Sequence, residues 1–217
     1  MAASAVQSID TSGARARPPA PGMDGAPPGE APDTAPARAK PLRQFLRTVT
    51  PTGRARPFER SEIIVSKTDP KGIITYANDV FLRVAQMEEE TALGAPHSIV
   101  RHPDMPRCVF KLLWDRVSAG EEIFAYVLNL ASSGDHYWVL AHVTPSWGPD
   151  GKIVGYHSSR RAPRDNAVEV AAGLYRQLKA VEDAAGGKAD GMARGAAALG
   201  DFLKEKGLSY DELVFSL

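Results

Sequence analysis

The order of turn-bounded apolar runs between residues 63 and 160 constrains the fold more than any other feature of the chain. Ile63-Ile64-Val65-Ser66-Lys67-Thr68 and Ile73-Ile74-Thr75-Tyr76-Ala77 are rich in β-branched side chains and flank Asp69-Pro70-Lys71-Gly72, with Pro and Gly where a tight turn takes them. Three further runs, Ile123 to Leu130, His136 to Trp147 and Lys152 to Arg160, are separated by Ser132-Ser133-Gly134-Asp135 and Gly148-Pro149-Asp150-Gly151, and read as strands joined by turns. Between the two groups lie short helical segments, Asn78 to Ala85 and Glu88 to Leu93, and a longer one from Pro106 to Ala119. Two strands, helices and three strands within about 100 residues predict one α+β domain: a five-stranded antiparallel sheet with short helices on one side, able to enclose a ligand against its inner face.

Inside this pattern, Arg101-His102-Pro103-Asp104-Met105-Pro106 packs a fixed cation, a titratable ring and a carboxylate between two prolines. Proline at both ends stiffens the backbone, so such a cluster can hold polar groups at fixed angles toward a ligand. Asp135-His136-Tyr137-Trp138 is the next strongest signal. Tyr137 and Trp138 must point to opposite faces of their strand, and an aromatic left on the outer face would mark a docking surface.

The motifs that carry a family resemblance are Val65-Ser66-Lys67-Thr68-Asp69, Ile74-Thr75-Tyr76-Ala77-Asn78-Asp79-Val80-Phe81, Gly94-Ala95-Pro96-His97-Ser98-Ile99-Val100 running into Arg101 to Pro106, then Trp114 and Gly134-Asp135-His136-Tyr137-Trp138-Val139. In this order and spacing, residues 62–163 resemble the PAS domain of bacterial aerotaxis receptors. The resemblance implies a PAS fold that binds FAD without covalent attachment and uses the flavin's redox state as its signal. It places Arg101, His102 and Asp104 on the flavin-binding motif, with His97, Trp114 and Asn129 on matching positions nearby; Asn78 is a further cofactor-binding candidate. The chemistry agrees, since Arg and His can donate to a flavin's carbonyl edge while Asp accepts from its N–H. Arg101 can equally pair with a diphosphate in a bidentate way. Haem held by His102 or His97 is the cofactor alternative, and an empty PAS domain serving as a dimerisation scaffold is the alternative without any cofactor.

Several of these residues also have plain structural readings. Asp104 precedes an amphipathic helix with Pro106 in its first turn, as an N-cap does. Asn78 follows a strand and precedes a helix, and an N-cap is the preferred account. Val109, Phe110, Leu113, Trp114 and Val117 recur at helical spacing, which makes Trp114 a core residue first and a pocket wall second. His136 and His142 share one strand face and read as ordinary sheet histidines. Cys108 opens an apolar helical face and reads as a buried, inert thiol.

Other functions find little support. His97, His102, Asp104 and Cys108 match no structural zinc spacing, and one cysteine among 217 residues excludes multi-cysteine sites and internal disulfides. No phosphate-cradling Gly loop, nucleophile elbow or dinucleotide fingerprint is present, so the expectation is a sensor without enzymatic activity. A formal charge of zero argues neither for nucleic acid nor for an acidic substrate, and no nucleic-acid partner is expected. No signal segment and no apolar run of roughly 18 residues are visible, which points to the cytoplasm and to a chain without the receptors' membrane and signalling domains. The signal would then leave through a protein partner, with the chemotaxis machinery as candidate, or through a homodimer contact.

Outside the sensor, residues 1–39 are Ala, Pro, Gly and Arg with few large apolar side chains, and read as a disordered tail. Residues 40–61 carry Arg43, Arg47, Arg54, Arg56 and Arg60 among Leu42, Phe45, Leu46 and Phe58: a basic linker or an N-terminal cap, with weak docking on anionic lipid as a further option. Residues 164–185 form an amphipathic helix whose broad apolar face (Val168, Ala171, Tyr175, Leu178, Glu182) suits a partner or a symmetric copy. Residues 188–217 hold a small helical segment, in which Ser209 and Glu212 make a capping box.

Overall fold

The computed structural model describes residues 49–217, so the tail expected over 1–39 and the stretch 40–48 of the basic segment lie outside the described residues. Strands β1 (Ile64–Thr68) and β2 (Ile74–Ala77) come first, then helices α1 (Asp79–Ala85) and α2 (Glu89–Ala92), a 3₁₀ turn over His97–Val100, and α3 (Arg107–Ser118). Strands β3 (Ile123–Leu130), β4 (His136–Trp147) and β5 (Ile153–Arg161) follow, and then α4 (Asp165–Asp183), α5 (Lys188–Lys206) and α6 (Tyr210–Ser216). The five strands form one antiparallel sheet in the order β2-β1-β5-β4-β3. This is the sheet and helix order that the turn-bounded runs predict.

Alternation along the strands assigns the faces. In β4, Tyr137, Val139, Ala141 and Val143 are buried on the inner face under α1 to α3, while His136, Trp138, Leu140 and His142 lie on the outer face. Tyr137 therefore points inward and Trp138 outward, but Trp138 is not a free docking surface. Tyr175 of α4 lies against it at 5.8 Å between ring centroids. The same tyrosine donates from its hydroxyl to the Tyr126 carbonyl of β3 at 2.7 Å. Phe215 of α6 meets Phe124 of β3, edge to face, at 4.9 Å. Thus the short helices α1 to α3 lie on one side of the sheet, as expected, and the C-terminal helices α4 and α6 cover part of the outer face beside edge strand β3. The α4 face proposed for a partner, with Ala171, Tyr175, Leu178 and Glu182 buried, is instead satisfied within the chain.

Part of the basic segment is likewise consumed internally. Arg54 pairs with Asp135 at 3.1 Å. Arg56 donates to the carbonyls of Val84 and Arg83 at 3.0 and 3.1 Å, closing the C-terminal end of α1. Residues near Thr52 bond to the β3–β4 turn, where Gly134 (φ 89°) has no room for a Cβ: one would lie 2.3 Å from the Thr50 carbonyl oxygen.

The N-terminus of α3 is built by an unexpected residue. Pro106 is its N-cap and offers no side-chain acceptor. Asp104, expected to cap this helix, does not. Glu182 of α4 reaches across instead: Oε2 accepts from the Arg107 N–H at 2.9 Å and Oε1 from the Cys108 N–H at 2.7 Å. Its side chain has no exposed surface. Helix α5 can approach Glu182 because Gly191 faces its backbone and Gly195 its side chain; a Cβ on Gly195 would lie 2.8 Å from Glu182 Cγ and 3.1 Å from Cys108 Sγ. The buried Cys108 thiol is pushed up to about 12, by burial first and by Glu182 second, which keeps it protonated and unreactive.

Candidate functional site

A cavity of about 510 Å³ lies between the inner face of the sheet and α3, within the range of small-molecule sites. Its sheet wall mixes apolar residues (Val127, Ala141, Val143) with a polar row: Ser66 and Thr68 from β1, and Tyr156, Ser158 and Arg160 from β5. Register explains the row. Ser66 pairs directly with Ser158, Ile64 with Arg160 and Thr68 with Tyr156, so alternate residues of the two strands share the inner face.

Arg160 dominates the electrostatics. It is 4% exposed, a burial that costs several kcal/mol unless the charge is compensated. Its Nη2 donates to Ser66 Oγ at 2.8 Å and to His97 Nε2 at 2.5 Å. Because a guanidinium has donors only, His97 must accept at Nε2 and carry its proton on Nδ1. Burial first, and Arg160 second, hold His97 down at about 3, so it is a neutral partner. Arg160 itself is lowered to about 10 by burial, and no carboxylate pairs with it among the described residues. Beside it, the Ser158 Oγ and Thr68 Oγ1 atoms are buried without a hydrogen-bond partner. Such orphaned groups are uncommon in a finished core and ask for a ligand or water.

On the helix side, Arg101 stacks over the Phe110 ring at 4.4 Å and donates from Nη2 to the Met105 carbonyl at 3.1 Å. Burial, then the neighbouring Arg107, lower its pKa. Trp114 meets Tyr156 edge to face at 5.3 Å. Its ring also lies against Gly72, whose φ of 78° and whose Cβ position, 2.9 Å from Cη2, both exclude a side chain. Lys71, Arg107 and Lys111 line the cavity too, Lys111 pairing with Asp115 at 2.5 Å. Five cations against one carboxylate make this an environment for an anionic or acceptor-rich molecule.

The structure brings together His97, Arg101, Trp114 and Asn129 around this cavity. It does not bring His102, Asp104 or Asn78 to it. Arg101 bridges to Asn129 alongside edge strand β3, so successive residues there point to opposite sides of the sheet, and His102 turns away. Together with the mostly exposed Asp104 it faces a second cavity of about 500 Å³ bordered by His136, Trp138 and Tyr175. His102 Nδ1 accepts from the Asp104 N–H at 3.1 Å, which stabilises the turn, and burial lowers its pKa. Asn78 is an N-cap: Oδ1 accepts from the Phe81 and Val65 N–H groups at 3.0 and 2.9 Å, and Nδ2 donates to the Ile63 carbonyl at 2.8 Å. Sequence reasoning missed Arg160, Ser158, Ser66 and Thr68. The available signal was strand alternation, which places an arginine at an inward position of β5.

An α+β sensor fold with a ligand-sized cavity between sheet and helices defines the class, and residues 56–157 match the family model described as PAS fold: this segment is a PAS domain. It is of the aerotaxis-receptor type. Over 129 residues the chain is 37% identical to the aerotaxis receptor of Escherichia coli (strain K12), covering 59% of this chain and 25% of the receptor. It is also 25% identical over 128 residues to the blue-light-activated histidine kinase of Rhizobium johnstonii (strain DSM 114642 / LMG 32736 / 3841), covering 58% of this chain and 34% of the kinase. The solved light-state structure of the blue-light photoreceptor Aureochrome1 LOV aligns with a TM-score of 0.45 and 21% identity, over 52% of this chain and 90% of that one. The chain thus spans about a quarter of the receptor and a third of the kinase. No helix among the described residues is long and apolar enough to cross a membrane.

Proposed function

We propose that this PAS domain holds FAD non-covalently in the cationic cavity and works as a cytoplasmic redox or oxygen sensor in an aerotaxis-like pathway, without catalysing a reaction of its own. The observation that carries this reading is the polar row of the sheet wall. A buried arginine without a counter-ion among the described residues and two orphaned hydroxyls, set beside the apolar Val127, Ala141 and Val143, suit a flat heteroaromatic ring with acceptor atoms along one edge. Arg160, Ser158, Thr68 and Asn129 would hold the ring edge, Arg101 and Trp114 its flank, and Lys71, Arg107 and Lys111 the diphosphate. A bound flavin would supply a redox centre whose hydrogen-bonding edge and charge change on reduction.

What this chain does with such a change follows from its own contacts. Helix α3 lines the cavity through Arg107, Phe110, Lys111 and Trp114, and its first turn is held by Glu182 of α4. A shift of α3 therefore strains the α4 contact, and α4 carries outward-facing Val170 and Val181 on which a second copy or a signalling protein can dock. A differential of about 1–3 kcal/mol between ligand states would change partner affinity roughly 5- to 150-fold. Against haem, His97 Nε2 is already engaged by Arg160 and Ser66.

An absorption spectrum of aerobically purified protein, with chromatography of what heat releases, tests the reading. Flavin bands that bleach on reduction, with FAD released, support it. A Soret band points to haem, and a colourless protein that FAD cannot reconstitute leaves the dimerisation scaffold in its place.

A further inference from the structure

The polar row also specifies the charge of whatever fills the cavity. All hydrogen bonds from the Arg160 side chain to the described residues leave from Nη2, and both acceptors, Ser66 Oγ and His97 Nε2, are neutral. Its Nε and Nη1 donors are therefore left for an occupant. A buried guanidinium serving the core alone would be expected to have a carboxylate beside it, since the charge otherwise remains uncompensated. The lining carboxylate, Asp115, is committed to Lys111. Beside Arg160 on the same strand, Ser158 is 7% exposed and its Oγ has no partner; two residues along β1 from Ser66, the Thr68 Oγ1 is equally orphaned. A guanidinium with uncommitted donors, sharing one sheet wall with unpartnered hydroxyls, makes that wall a place where negative charge is stabilised.

We propose that Arg160, with Ser158 and Thr68, forms an oxyanion subsite on the sheet wall of the cavity, which takes a carboxylate or an anionic ring-edge oxygen of the occupant, while Ser66, whose hydroxyl donates to His97 Nε2, holds Arg160 in place. This deepens the flavin reading but does not depend on it, because the subsite selects charge whatever the rest of the ligand is. For a flavin, addition of two electrons and one proton to the neutral ring leaves one negative charge, and Arg160 would favour that state over the oxidised one.

The test uses the full chain freed of retained small molecules and two probes of the same shape, benzoate and neutral benzamide. Both are titrated by amide NMR and thermal melting. Benzoate is expected to bind at least tenfold more tightly, to shift the amides of Ser66, Ser158 and Arg160, and to lose its advantage in Arg160→Met while keeping part of it in Arg160→Lys. Equal affinities, or a benzoate preference mapped only to Lys71, Arg107 and Lys111, overturn the subsite even if Arg160→Met does not fold. Where FAD is retained, Arg160→Met should lower its reduction potential by about 30 mV, the two-electron equivalent of a tenfold change. FAD retained at an unchanged potential also overturns the proposal. A charge preference at Ser66 and Ser158 in a protein that binds no FAD sinks the flavin reading and keeps the subsite.

Discussion

Replacing Glu182 with leucine should unfasten the C-terminal helices from the sensor core. The carboxylate accepts two backbone N–H groups, from Arg107 and Cys108, at 2.9 and 2.7 Å. Pro106 has nothing to offer in its place. Leaving a buried N–H unsatisfied costs about 1–3 kcal/mol. The Cys108 amide is buried and bears that cost in full, while the partly exposed Arg107 amide recovers some of it from water. Leucine returns apolar burial, and the ion pair with Arg107, 3.8 Å away and a third exposed, adds little. The expected net loss is about 2–4 kcal/mol, above the roughly 0.5–2 kcal/mol of an ordinary cap because the acceptor is wholly buried. Urea unfolding followed by far-UV circular dichroism measures it, and hydrogen exchange should show the amides of Arg107 and Cys108 opening before those of β4 and β5. A loss below about 0.5 kcal/mol would refute the reasoning, since it would mean the two N–H groups find other partners at no cost.

Three further outcomes are expected. Gly195→Ala brings a Cβ within 2.8 Å of Glu182 Cγ and should destabilise by about 1–3 kcal/mol, whereas Gly200→Ala on the same helix meets nothing within 4 Å and should stabilise by about 0.5–1 kcal/mol; equal effects in thermal melts would contradict the packing described for α5. His97 is held at about 3 when folded against 6.5 in a free chain, so the unfolded state binds its proton first. Its neutral form stabilises the fold above pH 6.5, and that contribution falls by about 1.4 kcal/mol per unit as pH drops from 6.5 toward 3; a pH series of urea midpoints should show this slope vanish in His97→Gln. Asn78→Ala should lower stability by about 1–2 kcal/mol through lost capping while leaving ligand retention unchanged, and Asp104→Ala should alter neither, with Arg101→Ala weakening retention in the same flavin-release assay.

Sheet and helix order were legible because both rest on local chemistry. Pro and Gly in the β1–β2 turn, Gly134 and Gly151 in the others, and β-branched residues between them suffice to place five strands within a residue or two. The capping box at Ser209 and Glu212 and the cap at Asn78 were equally readable, since their donors and acceptors lie within three residues. Within the site, His97, Arg101, Trp114 and Asn129 came from motif resemblance and do meet around one cavity. In sequence the Arg101 to Pro106 motif reads as one unit, yet pairing of Arg101 with Asn129 sends Arg101 and His102 to opposite sides of the sheet.

By itself, then, the sequence determined the elements, their turns and the class of sensor, because periodicity and turn preferences act over a few residues. Tertiary structure alone decided that Glu182, 75 residues away from Arg107, caps α3, that α4 covers Trp138 rather than leaving it for a partner, and that Arg160 meets Ser66 and His97 across 94 and 63 residues of chain. Each depends on strand register and helix docking, where a shift of one residue would send the same side chain to the other face.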